Sequence, residues 1–105
     1  MRFGQWIGAG NPWPEIRARA RLGEAVGWDG LWVPDHFMPP AGGYGPEDDA
    51  GGDDPELGPI LEAWTMLGAL AATVPRVRLG AMVSGNTYRH PAVLANMAAT
   101  VDHVS

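Results

Sequence analysis

The residues best placed to do chemistry lie in one short stretch, "LWVPDHFMPP", Leu31 to Pro40. An apolar run enters a proline and delivers Asp35 and His36 side by side, followed by an aromatic residue and two more prolines. An imidazole can give or take a proton near neutral pH. A neighbouring carboxylate can set the imidazole's tautomer, or bond to a ligand or a loop amide. Consecutive residues on an extended chain point opposite ways, so the two side chains can face different partners. A plainer reading is that Asp35 caps a turn and His36 packs beneath a loop.

Other ionisable groups are weaker candidates. His90 precedes Pro91 at the start of a helical pattern, and His103 falls in that pattern's last turn, where a cation suits the dipole. Asp48, Asp49, Asp53 and Asp54 lack the spacing and terminal Glu of a calcium loop, so a solvated acidic loop is expected and no metal site. With no cysteine, neither a disulfide framework nor a thiolate metal site can form. "GAGNPW", residues 8–13, lacks the third glycine of a dinucleotide fingerprint.

The elements that must position Asp35 and His36 follow from periodicity. Phe3 to Gly8 reads as a strand. The segment after it reads as a helix, with Pro14 near its start and Ile16, Ala20, Gly23 and Val26 on its apolar face. Arg17, Arg21 and Glu24 fall on a face expected to be solvated. Gly27 is a suitable left-handed stop, with Trp28 folding back on the last turn. Leu31 to Val33, apolar throughout, reads as a parallel strand covered on both faces.

Residues 41–58 are rich in Gly, Pro and Asp and read as a flexible surface loop. Pro59 is expected to open a second helix, with Ile60, Trp64, Leu67 and Ala71 as its core stripe. Val77 to Ser84 reads as a third strand. Pro91 opens a third helix, with Leu94, Met97, Ala98 and Val101 inward. The β-α-β-α-β-α order predicts an α/β fold with a parallel sheet and right-handed crossovers. In such folds ligands sit beyond the carboxyl ends of the strands. "GAGNPW", "PDHFMPP" and "VSGNTYRHP" all fall there.

The bulk numbers narrow the partners. A chain of 105 residues with 46 % hydrophobic content can bury one small core. A net charge of −5 argues against a nucleic-acid partner and against an anionic membrane surface. There is no apolar run long enough to span a bilayer and no signal-peptide pattern, so a cytoplasmic protein is expected. Most of the five tryptophans are expected to be packing residues.

Two blocks carry a resemblance: "GWDGLWVPDHF" and "EAWTMLGALAATVPRVRLGAMVSGNTYRHPAVLANMAATVDHVS". Together with their spacing, they make the chain resemble the N-terminal part of the luciferase-like monooxygenase superfamily, most nearly its deazaflavin (coenzyme F-420) branch. The likeness spans all but the Gly/Asp loop. It implies a (β/α)8 TIM-type barrel, of which residues 1–105 would be the first three βα units. A full barrel takes about 250 residues.

By this resemblance a flavin or deazaflavin lies at the strands' carboxyl ends. His36 would be the acid/base group, and Asp35, Ser84, Gly85 and Asn86 would be cofactor contacts. A bulge with a non-proline cis peptide would fall within Met82 to Gly85, and Gly85 would leave room for a ring to approach. Where a branch of the family carries a tryptophan shortly after the Asp-His pair, this chain has Met38, Pro39 and Pro40. The implied reaction is hydride transfer between the deazaflavin and a small organic substrate. Two other readings remain open here: an FMN-dependent monooxygenase, and a non-catalytic chain that only binds or assembles. A homo-oligomer, or association with the remainder of a barrel, is expected because three strands leave two open edges.

Overall fold

The computed structural model describes residues 1–37 and 60–105. Among these, six elements alternate: β1 (Gly4–Trp6), α1 (Trp13–Ala25), β2 (Gly30–Val33), α2 (Ala63–Ala71), β3 (Arg78–Ala81) and α3 (Pro91–Val104). The strands form one parallel sheet in the order β1-β2-β3, so β2 is central and its tip lies between the other two. This is the α/β architecture of successive βα units. The 41–58 loop and Pro59 lie outside the described residues, and so does the acidic cluster at 48–54.

Register separates the two faces. Gln5, Leu31 and Leu79 form one row, and Trp6, Trp32 and Gly80 the next. Leu31 and Val33 are fully buried on the helix-covered face with Ile7, Ile16, Leu67, Leu70 and Val74. Burial of each such side chain stabilises the fold by roughly 1.5–3 kcal/mol. The opposite face carries Trp32, whose indole lies across the neighbouring strands. A Cβ on Gly4 or on Gly80 would sit 2.4 Å from its ring atoms. Trp6, Trp28 and Trp32 are 42 %, 36 % and 38 % exposed, so three of the five tryptophans stand outside the closed core expected for most of them.

α1 ends as its sequence implies. Gly27 adopts φ +85°, Trp28 N–H donates to Gly23 O at 2.9 Å, and Gly27 N–H donates to Glu24 O at 3.3 Å. This is the two-bond stop that a left-handed glycine permits. Two expectations for this helix fail. Val26 is 63 % exposed, because it already belongs to the turn. Glu24 is drawn out of solvent by Arg76, whose backbone N–H and guanidinium donate to it at 2.8 and 2.9 Å.

α2 also differs from its expected start. It begins at Ala63, with Glu62 as the N-cap, while Leu61 N–H bonds to Ala9 O at 3.0 Å. Leu61 is thus tied to the loop after β1 and lies ahead of the helix. The third strand, Arg78–Ala81, is shorter at both ends than Val77 to Ser84, and the Met82–Val83 peptide beyond it is cis. A cis bond within Met82 to Gly85 is what the resemblance implied. α3 opens at Pro91 as expected, capped by His90, whose Nδ1 accepts from Ala92 N–H at 3.2 Å. Leu94, Met97, Ala98 and Val101 are its half-buried residues. No helix among the described residues is long and apolar enough to cross a membrane.

Candidate functional site

The site is built where β2 and β3 end together. Met82 N–H donates to Val33 O at 2.8 Å, extending the pairing one step past the last regular residue of β3. Pro34 follows β2, and Asp35 comes next with its side chain fully buried. Its Oδ2 accepts from Gly85 N–H at 2.9 Å and from Arg89 Nη1 at 2.6 Å, while Oδ1 accepts from Arg89 Nη2 at 2.8 Å. Asp35 therefore faces the protein, and the half-buried His36 follows it at the rim. The alternation of an extended chain accounts for two ionisable residues in adjacent positions with different surroundings.

Arg89 joins three segments. Its guanidinium grips Asp35 as a two-bond fork and also donates through Nη2 to Glu62 Oε1 at the start of α2. Two carboxylates thus share one guanidinium, Asp35 fully buried and Glu62 partly exposed. The hydrogen bonds that Arg89 donates to Asp35 push it further above its ordinary range; burial opposes the shift and Glu62 adds to it. Burial raises the Glu62 carboxyl, but hydrogen bonds from Thr65, Arg89 and Trp64 outweigh it and bring the group to about 2. Glu62 is thus a stable anion that caps α2 through Trp64 N–H and Thr65 N–H, at 3.2 and 2.7 Å.

α2 also reaches the β3 tip directly, since Trp64 Nε1–H donates to Ser84 Oγ at 3.0 Å. Ser84 and Gly85 are half-buried beside the Asp35–His36 segment, and Asn86 is exposed next to them. The resemblance led to an expectation of open space above Gly85. That space is filled by the Tyr88 ring, 2.5 Å from where a Cβ on Gly85 would stand. Tyr88 in turn stacks on Phe37 with ring centroids 4.2 Å apart and planes 21° from parallel. Among the described residues at this tip, Met82 and Val83 are exposed, as are Phe37 and Tyr88.

All five residues singled out from sequence, Asp35, His36, Ser84, Gly85 and Asn86, thus fall on one rim at the carboxyl ends of β2 and β3. Sequence reasoning missed Arg89 and Glu62, and it treated Trp64 as core stripe only. A signal for Glu62 was present: a carboxylate just before an apolar helical run suits the positive end of the dipole. Reading the helix from Pro59 placed it inside instead. Arg89 had no local signal, because its partners lie 54 and 27 positions away.

Three parallel strands alternating with helices, with polar residues gathered beyond the strand tips, make an open α/β sheet consistent with part of a barrel. The chain belongs to the luciferase-like monooxygenase family, whose model matches residues 1–105. It is 37 % identical over 105 residues to a phthiodiolone/phenolphthiodiolone dimycocerosates ketoreductase of Mycobacterium sp. (strain JLS), covering 93 % of this chain and 28 % of the relative. It is 34 % identical over 91 residues to an uncharacterized protein of Mycobacterium tuberculosis, covering 84 % of this chain and 32 % of the relative. The ketoreductase of the same name in Mycobacterium tuberculosis is 35 % identical over 104 residues, covering 84 % of this chain and 25 % of the relative. The chain therefore spans about a quarter to a third of the length of these curated relatives. Monooxygenase and ketoreductase are both oxidoreductase activities, so the comparisons point to an oxidoreductase-type family.

Proposed function

We propose that residues 1–105 form the part of an oxidoreductase that presents an acid/base histidine to a deazaflavin, coenzyme F-420, and to a small organic substrate. The observation that carries this reading is the bond from Gly85 N–H to Asp35, which brings the His36 segment and the Ser84–Asn86 segment to one rim. A ligand at that rim meets an imidazole, a hydroxyl, backbone amides and an apolar surface within one small area.

The residues present suit a flat, partly polar ring. Met82 and Val83, 47 % and 74 % exposed, offer it an apolar back, with Ser84, Gly85 and Asn86 beside them for its polar edge. When bound, a deazaflavin supplies or accepts a hydride. His36 holds or delivers the proton that balances that hydride at the substrate's carbonyl or hydroxyl oxygen. Asp35, with both oxygens engaged by the protein, holds the rim in shape. Phe37 and Tyr88 wall the site on the side of Gly85.

The outer edge of β3 supports the expectation that further strands complete the structure. A groove of about 540 Å³ runs along that edge between α2 and α3, with Leu67, Val77, Leu79 and Val101 in its lining. It lies away from His36 and suits the apolar side chains of another βα unit, in the same polypeptide or in a second copy.

The test is a fluorescence titration of the full chain with coenzyme F-420 and, separately, with FMN, in wild type and in His36→Ala. Tighter binding of F-420 by wild type, with binding kept and turnover lost in His36→Ala, is expected. Preference for FMN would move the reading to the monooxygenase, and binding of neither would reduce the chain to an assembling unit.

A further inference from the structure

We infer that Arg89 is a positioning residue for His36. The inference rests on the reading of His36 as the acid/base group, but its geometry is independent of which ring binds. His36 is bracketed on both sides by the dipeptide Tyr88–Arg89. The residue before it, Asp35, is held by the Arg89 fork at 2.6 and 2.8 Å. The residue after it, Phe37, is stacked on Tyr88 at 4.2 Å and has the Arg89 guanidinium carbon 6.0 Å from its ring centre. One short stretch of the β3–α3 connection therefore fixes the backbone at both ends of the His36 residue.

The chemistry of the clamp suits positioning. A planar guanidinium in a two-bond pair sets the carboxylate's orientation as well as its distance, which a lysine ammonium cannot do. The Asp35 side chain is 0 % exposed and that of Arg89 9 %, so water does not compete for these bonds. Arg89 is itself held by Glu62 at the head of α2. Neutralising Asp35 would need only a cation. The fork, the stack on the next residue and the brace from α2 together hold the segment that carries the half-buried His36. Small displacements of a catalytic group cost rate steeply, so a rim of this kind must be rigid.

The experiment reads His36 itself. The full chain is treated with diethyl pyrocarbonate, and carbethoxylation is located by peptide mass spectrometry, with His103 in the last turn of α3 as internal reference. In Arg89→Lys, His36 should be modified at least about fivefold faster relative to His103, the factor by which losing one charge-assisted hydrogen bond shifts a local opening. Its thermal unfolding should remain cooperative. The double variant Asp35→Asn with Arg89→Met removes both charges together and leaves neither buried alone. It should show the same acceleration, and it reads the ratio if the lysine variant fails to fold. An unchanged His36 to His103 ratio in the folded variants would overturn the inference.

Titration with F-420 separates the two readings. Wild type that binds no F-420, with His36 still accelerated in the variants, would sink the coenzyme reading and leave the role of Arg89 standing. Tight F-420 binding with His36 equally reactive in every variant would do the reverse.

Discussion

Asp35 and Arg89, 54 positions apart in the chain, meet as a two-bond ion pair almost wholly removed from solvent. The pair closes the rim on which His36 and Ser84 stand, and a third bond from Arg89 ties it to the start of α2. Removing Asp35 leaves Arg89 with only the part-exposed Glu62 and leaves the Gly85 N–H without its acceptor. Asp35→Ala should therefore destabilise the chain by about 3 kcal/mol, and Asp35→Asn by less. Urea unfolding followed by tryptophan fluorescence measures this, and an Asp35→Ala midpoint equal to wild type would contradict the pairing.

Glu62 gives the fold a dependence on acid. Its carboxyl is lowered from 4.5 to about 2 in the folded chain, so its contribution is fully present above about pH 4.5 and is lost as pH falls toward about 2. The side chain is 34 % exposed, so solvent screening reduces the effect below what the shift alone implies. Glu62→Gln should be less stable than wild type at neutral pH, and the two should converge on acidification through that window. Denaturant midpoints measured across it test this, and a constant difference would exclude Glu62 as the titrating group.

The Trp32 indole requires glycine on both neighbouring strands. Gly80→Ala places a methyl 2.4 Å from ring atoms, and the overpacking should cost about 1–3 kcal/mol. In a Trp32→Ala background the same change should be close to neutral, so a double-mutant cycle would show coupling of similar size. Additive effects would place the indole elsewhere.

At Gly27, the left-handed conformation at φ +85° has no steric obstacle around it, so only backbone preference resists a side chain. Gly27→Ala should cost about 1 kcal/mol through the left-handed penalty alone. Chemical denaturation of this variant should show no change in the slope of the transition.

Several features were determined by local sequence. The apolar run at Leu31 to Val33, Gly27, Pro91 and the helical stripes each encode their structure within a few residues, because periodicity, φ preference and a missing amide act locally. The resemblance carried by "GWDGLWVPDHF" and the long block from Glu62 added the family and the rim location of Asp35, His36 and Ser84. Tertiary structure alone decided what the Asp35 carboxylate faces, since that depends on Arg89 and Gly85 arriving from another βα unit. It also decided that Tyr88 fills the space above Gly85 and that Glu24 leaves solvent for Arg76, again through contacts between distant segments. A carboxylate reads the same in sequence whether it will meet water, a ligand or a guanidinium; the neighbour that tells these apart is set only when the strands align.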